Sequence, residues 1–324
     1  MKFYDVFNGD ADGLCAMHQL RLIEPRDAIL VTGVKRDIAL LSRVDARKGD
    51  EITVFDISLD ANREALARVL DAGARVRWFD HHHAGDIPRR PGFRAHIDTA
   101  PEICTSLIVD RFLNGRHRAW AVVAAFGDNL RESAWREAEP LELDDTQMHT
   151  LRTLGECLNY NAYGESLADL HYDPAELYET LRRYDNPLDF VVAEPVFEVL
   201  RNALSDDLVR AAELRPLRAS DAAVAFRLPD TAWARRISGF FSNQLANTFP
   251  MRAHAVLTER AGGYLVSVRA PVSVAVGADA LCRQFESGGG RAAAAGIQLL
   301  PEADLGRFLD AFERAFPARR GPAA

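Results

Sequence analysis

The chain has 324 residues, of which 48% are hydrophobic and 27% charged; this excludes a disordered, collagen-like or disulfide-dense polypeptide. The length fits about two domains of roughly 100 to 200 residues each. The net charge of −8 argues against a surface that grips long duplex DNA or anionic lipid. No apolar run reaches the roughly 18 residues of a spanning helix, and Asp5 interrupts the stretch where a signal peptide would be hydrophobic, so a soluble, cytoplasmic protein with no membrane partner is expected.

The first 130 residues alternate β-rich runs with helical stretches, the pattern of a parallel sheet with crossover helices. KFYDVF reads as a strand and DGLCAMHQLRLI as an amphipathic helix; AILVTG, EITVF and RVRWF follow as strands, with the helical ANREALARVLDAG between the last two. AWAVVAAF at 119–126 fits a helix or a strand. Residues 144–183 read as helical, and a further helix is expected through VVAEPVFEVLRNAL with a kink at Pro195. AAVAFRL, RAHAVLTE and GYLVSVRA then read as strands, with helices expected near 233–247, 277–286 and 302–316 and a loose tail, PARRGPAA. This organisation predicts an α/β protein with three parts: a parallel-sheet domain at 1–185, a helical linker at 186–215 and a smaller α/β domain at 216–324. The charge is split as well: from Pro216 onward there are 13 Arg, no Lys and 9 acidic residues, a net of +4 that leaves −12 for residues 1–215. Four cysteines, Cys15, Cys104, Cys157 and Cys282, lie far apart with no CxxC and read as reduced core residues.

The informative residues stand where the strands end. FNGDADG follows the first strand, FDIS the third and FDHHHAG the fourth, so Asp10, Asp12, Asp56, Asp80 and His81 fall at carboxyl ends, the ligand-binding edge of open parallel sheets. Asp128 in FGDN directly follows the apolar segment 119–126. Any one of these acids could simply cap a helix. Several at one rim repel and raise one another's pKa unless cations neutralise them. Oxygen-rich ligation with imidazole and no thiolate suits Mn²⁺ or Mg²⁺. Two ions with a shared carboxylate would activate water and clamp a phosphoryl oxygen, which is phosphoester hydrolysis.

With these motifs in hand, the sequence resembles the DHH phosphoesterases: Asp10-Ala11-Asp12-Gly13 matches the first motif, Asp56 the second, Asp80-His81-His82 the third and Gly127-Asp128 the fourth. The second half is similar to the DHH-associated C-terminal domain of the nanoRNase and RecJ-type branches, with Ser267-Val268-Arg269 as its SxR strand and Gly288-Gly289-Gly290-Arg291 through Gly296 as its glycine loop. The resemblance implies a cleft between the two domains. It implies two Mn²⁺ ions, with Mg²⁺ as the alternative: Asp10 on the first, Asp12, His81 and Asp128 on the second, and Asp56 bridging. It also implies that Asp80 orients a histidine, that His82 faces the scissile phosphate, and that Arg269, Gly288, Gly289, Gly290 and Arg291 contact the substrate.

Three departures stand out: Val6 where many relatives have a histidine, implying a weaker first-metal site; Asn8 where RecJ-type members often have Asp; and Arg291 in place of the loop histidine. Too few residues follow the glycine loop for an OB-fold, so the expected substrate is a short single-stranded oligonucleotide or linear dinucleotide. The alternatives are a phosphomonoesterase on 3′-phosphoadenosine 5′-phosphate, a polyphosphatase, and a nucleotide-binding regulator without turnover; homodimerisation is left open. Thr105 and Ser106, at a helix start, offer hydroxyls and amides to phosphate or act as a cap. His18, His149 and His171 read as structural or solvated.

Overall fold

The first strand, β1 (Phe3–Phe7), feeds directly into helix α1 (Ala11–Ile23), and the Asp10 carboxylate between them caps the helix by accepting from the Asp12 and Gly13 amides. The computed structural model describes residues 1–317, and the chain divides into two compact units at Asn202/Ala203. Apart from Pro317, the tail expected to be loose lies outside the described residues.

The first unit continues with β2 (Ile29–Val31), β3 (Glu51–Phe55), α2 (Arg63–Asp71), β4 (Arg75–Asp80) and β5 (Phe93–Ile97). All five strands are parallel in the order β2-β1-β3-β4-β5. The chain leaves β1 to one side for β2 and returns on the other for β3, so a topological switch point lies between the carboxyl ends of β1 and β3, the place where open α/β sheets bind ligands. β5 was not foreseen: FRAHI has only half-buried and exposed positions on an edge strand, so its alternation is faint.

Helices α3 (Thr105–Phe112), α4 (Arg118–Gly127), α5 (Arg131–Ala138) and α6 (Asp145–Asn161) follow. The ambiguous apolar segment is therefore helix α4, whose residues from Trp120 to Gly127 are all buried. A Cβ at Gly127 would lie 2.5 Å from that of Ala11 and 3.0 Å from the Gly155 carbonyl oxygen, so glycine lets the end of α4 close on α1 and α6. The helical stretch expected over 144–183 is interrupted after α6 and resumes at α7 (Pro174–Leu181). Pro195 makes a break rather than a kink, because α8 (Pro187–Ala193) ends before it and α9 (Pro195–Ala212) takes it as its first residue, where the missing N–H costs nothing. The unit boundary falls within α9.

The second unit contains β6 (Pro216–Ala219), β7 (Ala223–Leu228), α10 (Ala232–Thr248), β8 (Ala253–Arg260), β9 (Gly263–Arg269), α11 (Ala278–Cys282), β10 (Gly288–Gly290), β11 (Ala294–Pro301) and α12 (Leu305–Ala315). Its six-stranded sheet runs β10-β11-β9-β8-β7-β6, parallel only between β7 and β8. Val266, Val268 and Ile297 share a core with Leu281 of α11 and Phe308 and Phe312 of α12. The glycine run expected as a loop is instead the edge strand β10, paired antiparallel with β11. All four cysteines are free and buried. Among the described residues, no helix is long and apolar enough to cross a membrane.

Candidate active site

Each side chain at the switch point is placed by an element end. Asp10 and Asp12 open α1, Asp56 follows β3, Asp80 closes β4, and Asp128 caps the end of α4 rather than following a strand. Asp56 adopts a left-handed backbone conformation, φ 56°, which costs a non-glycine residue on the order of 1–3 kcal/mol and is typical of positions held for function. Asp12 reaches across to α3: its two carboxylate oxygens accept from the Thr105 and Ser106 amides, each at 2.7 Å, while the Thr105 hydroxyl donates to Asp56 at 3.0 Å. The first amides of α3 thus serve an aspartate of the same chain, and their expected roles as cap or phosphate site resolve into orientation of Asp12.

His81 and His82 are held by different partners. The His81 Nδ1 donates to the Ile103 carbonyl oxygen at 2.8 Å, which turns Nε2 toward Asp56 at 3.5 Å and Asp128 at 3.7 Å. The His82 Nδ1 donates to Asp80 at 2.7 Å, and the same Asp80 oxygen accepts the backbone amides of His81 and His82. The other oxygen of Asp80 is buried without a hydrogen-bond partner among the described residues. His83, the third of the run, is exposed.

Lys35, in the turn after β2, enters the same space. Its ammonium makes a short contact with Asp10 and lies 3.2 Å from Asp128 and 3.0 Å from the Asn159 side-chain oxygen of α6.

The electrostatics follow from crowding. Burial first, and then Asp10, Asp12 and Asp128, hold the Asp56 carboxyl well above the usual carboxylate range. Burial and Asp128 likewise raise Asp12. Burial would raise Asp128 too, but Lys35 and His81 outweigh it and bring it down. For His82, burial favours the neutral ring, yet Asp80 prevails and the net shift is upward. Two groups of donors have atoms close enough to share a cation: Asp12, His81 and Asp128, and Asp56, His81 and His82, each within 4.8 Å. Two features fit a hard divalent ion: carboxylate donors raised by burial and by one another, and an imidazole whose Nε2 faces two of them.

In the second unit, Arg269 ends β9, where its Nε donates to Asn243 of α10 at 2.9 Å and one terminal nitrogen to Ser267 at 3.0 Å. The Ser-x-Arg spacing places both on one face of the strand, so the serine steadies the guanidinium. The register places Gly289 opposite Gly296, and Gly296 opposite Ser267, in one row across the sheet. The three glycines of β10 differ in what requires them. A Cβ at Gly288 would lie 1.7 Å from the Cys282 carbonyl oxygen and one at Gly290 2.5 Å from the Ala295 Cα, whereas one at Gly289 meets nothing within 4 Å. Arg291 turns the chain, its backbone exchanging hydrogen bonds with Ala294.

Residues 221–317 match the DHHA1 domain family. This segment is a DHHA1 domain. The solved structures it superimposes on include a DHH-domain member of the s1p family of ribosomal proteins (TM-score 0.67, 13% identity, 97% of this chain and 86% of that one). Manganese-bound exonuclease RecJ gives 0.62 at 16% identity over 99% and 91% of the two chains. The pGpG-specific phosphodiesterase PggH of Vibrio cholerae gives 0.57 at 16% identity over 96% and 98%. No curated protein matches the chain in sequence. At these identities the likeness is one of fold.

Ser267, Arg269 and the glycine run lie within the DHHA1 match, and the first unit brings Asp10, Asp12, Asp56, Asp80, His81, His82 and Asp128 to one rim of its sheet. Sequence reasoning missed Lys35, Asn159 and Asn243. Lys35 was within reach of the strand-end argument, which passed over the second strand; Asn159 and Asn243 sit within helices with no motif to mark them.

Proposed function

We propose that the chain is a divalent-metal-dependent phosphoesterase that hydrolyses short oligonucleotides or linear dinucleotides, with Mn²⁺ as the resident metal and Mg²⁺ as its substitute. The observation that carries this reading is the convergence of Asp12, His81 and Asp128, and of Asp56 with His81 and His82, within ligand distance, with Asp80 anchoring His82. Asp12, His81 and Asp128 would hold the metal with Asp56 beside His81, and the ion would supply Lewis acidity to a phosphoryl oxygen and lower the pKa of water. Asp80 fixes the His82 ring through Nδ1 and stabilises its protonated form, so His82 is set to give a proton to the leaving oxygen. Arg269, steadied by Asn243 and Ser267, binds a substrate phosphate, and the open face at Gly289 admits the nucleotide close to the backbone while Arg291 adds charge. Gly288 and Gly290 serve this role by shaping the strand.

The test is a comparison of initial rates with Mn²⁺ on 5′-phosphorylated dinucleotides, longer oligomers, cyclic dinucleotides, 3′-phosphoadenosine 5′-phosphate and polyphosphate. Dinucleotides and short oligomers are the expected preference, with the Asp56→Asn variant inactive. Preference for the bisphosphate overturns the substrate class; tight dinucleotide binding with no turnover above the variant overturns the enzyme.

A further inference from the structure

We infer that the Lys35 ammonium is a built-in cation that takes the place of one metal ion, so that the site binds a single divalent ion per chain. This deepens the proposed function and rests on it. The argument is one of available donor atoms. Of Asp10, one oxygen accepts two amides, those of Asp12 and Gly13, and has no lone pair left, and the other holds Lys35; each Asp12 oxygen accepts a single amide and keeps a lone pair for an ion. Asp10 also lies outside both groups of donors close enough to share a cation. Those two groups overlap at His81, whose Nδ1 is committed to the Ile103 carbonyl, so only Nε2 can reach a metal, and it can serve one ion. Val6, four residues before Asp10, is fully buried in the apolar cluster with Ile52 and Val54 and adds no donor.

Lys35 is also built into its position. Its backbone amide donates to the Ala162 carbonyl at 2.9 Å, its carbonyl accepts from the Asn8 side chain at 3.1 Å, and Asn159, itself buried, supplies a third oxygen to the ammonium. An ammonium held by two carboxylates and an amide oxygen has the surroundings of a hard cation, without the exchange with solvent that a metal ion undergoes. Lys35 thus neutralises Asp10 and one oxygen of Asp128, and the remaining ion falls to Asp12, His81 and the other oxygen of Asp128.

Metal stoichiometry decides the matter. Mn²⁺ titrated into the full chain, followed by calorimetry and by electron paramagnetic resonance, is expected to saturate at one ion with the spectrum of isolated Mn²⁺. In Lys35→Ala and Lys35→Met, whose fold is checked by circular dichroism, the released Asp10 and Asp128 oxygens are expected to admit a second ion, giving a stoichiometry of two and the signature of an exchange-coupled pair; Lys35→Arg is expected to stay at one. Two ions in the unaltered protein overturn the inference and leave the proposed function standing. One ion in both neutral variants overturns it equally, since Lys35 then occupies no metal position. No ion in the unaltered protein overturns the metal-dependent function together with the inference.

Discussion

Asp80 is buried at the end of β4, where it accepts the His81 amide and holds the ring of His82, through which it acts. Its carboxylate keeps the imidazolium protonated to higher pH than an ordinary histidine, against the opposing effect of burial. Asp80→Asn is therefore expected to move the alkaline limb of the pH–rate profile toward lower pH, because the neutral amide no longer supports the charged ring. His82→Ala is expected to lower kcat by roughly 10²–10⁴ with KM and bound Mn²⁺ little changed, the range typical of a lost general acid. A profile unmoved by Asp80→Asn would remove its positioning role. At the same scale, the buried Asp5 pairs with Arg21, whose guanidinium also reaches the Thr53 hydroxyl at 3.0 Å. Asp5→Ala leaves that guanidinium uncompensated, and a loss of about 3–5 kcal/mol is expected in denaturant unfolding.

Among the elements, β10 separates packing from function within three consecutive glycines. Gly288→Ala and Gly290→Ala force a methyl into the backbone of Cys282 or Ala295, and both are expected to lower the melting temperature of the DHHA1 domain. Gly289→Ala meets open space, so its melting temperature should match the parent while KM rises, if a substrate approaches there. Equal destabilisation by all three would make the run purely structural. The same element scale explains the α3 amides: a helix start that reads as a phosphate site in sequence is already satisfied by Asp12, a partner more than ninety residues earlier in the chain.

For the whole molecule, each unit carries one buried histidine whose charge the fold suppresses. Burial holds His18 down to about 3, against the upward pull of the Tyr184 carbonyl, and burial with Arg252 holds His254 down to about 4. Unfolded, both take a proton near 6.5; folded, they do not. The contribution of these two histidines to stability is therefore complete above about pH 6.5 and is lost as the pH drops toward 3–4, opposite in sign to that of the raised Asp12 and Asp56 carboxyls. Urea unfolding of the metal-free protein at pH 7.5 and 5.0 is expected to show this loss, with His18→Gln reducing the slope for the first unit. A slope unchanged by that substitution would assign the loss to groups other than His18.

The sequence by itself determined the α/β class, the parallel first sheet and the acids at its strand ends, because period-two apolar runs and strand-end motifs are local and survive without tertiary context. It also marked the DHHA1 domain through its SxR strand and glycine run. Only the tertiary structure decided that α4 is a helix, that the glycines form an edge strand, that Asp10 is committed to a helix cap and a lysine, and that Asn243 steadies Arg269. Each of these depends on a neighbour distant in the chain: side-chain oxygens and amides bond to whatever the fold places within about 3 Å, and spacing along the sequence carries no record of it.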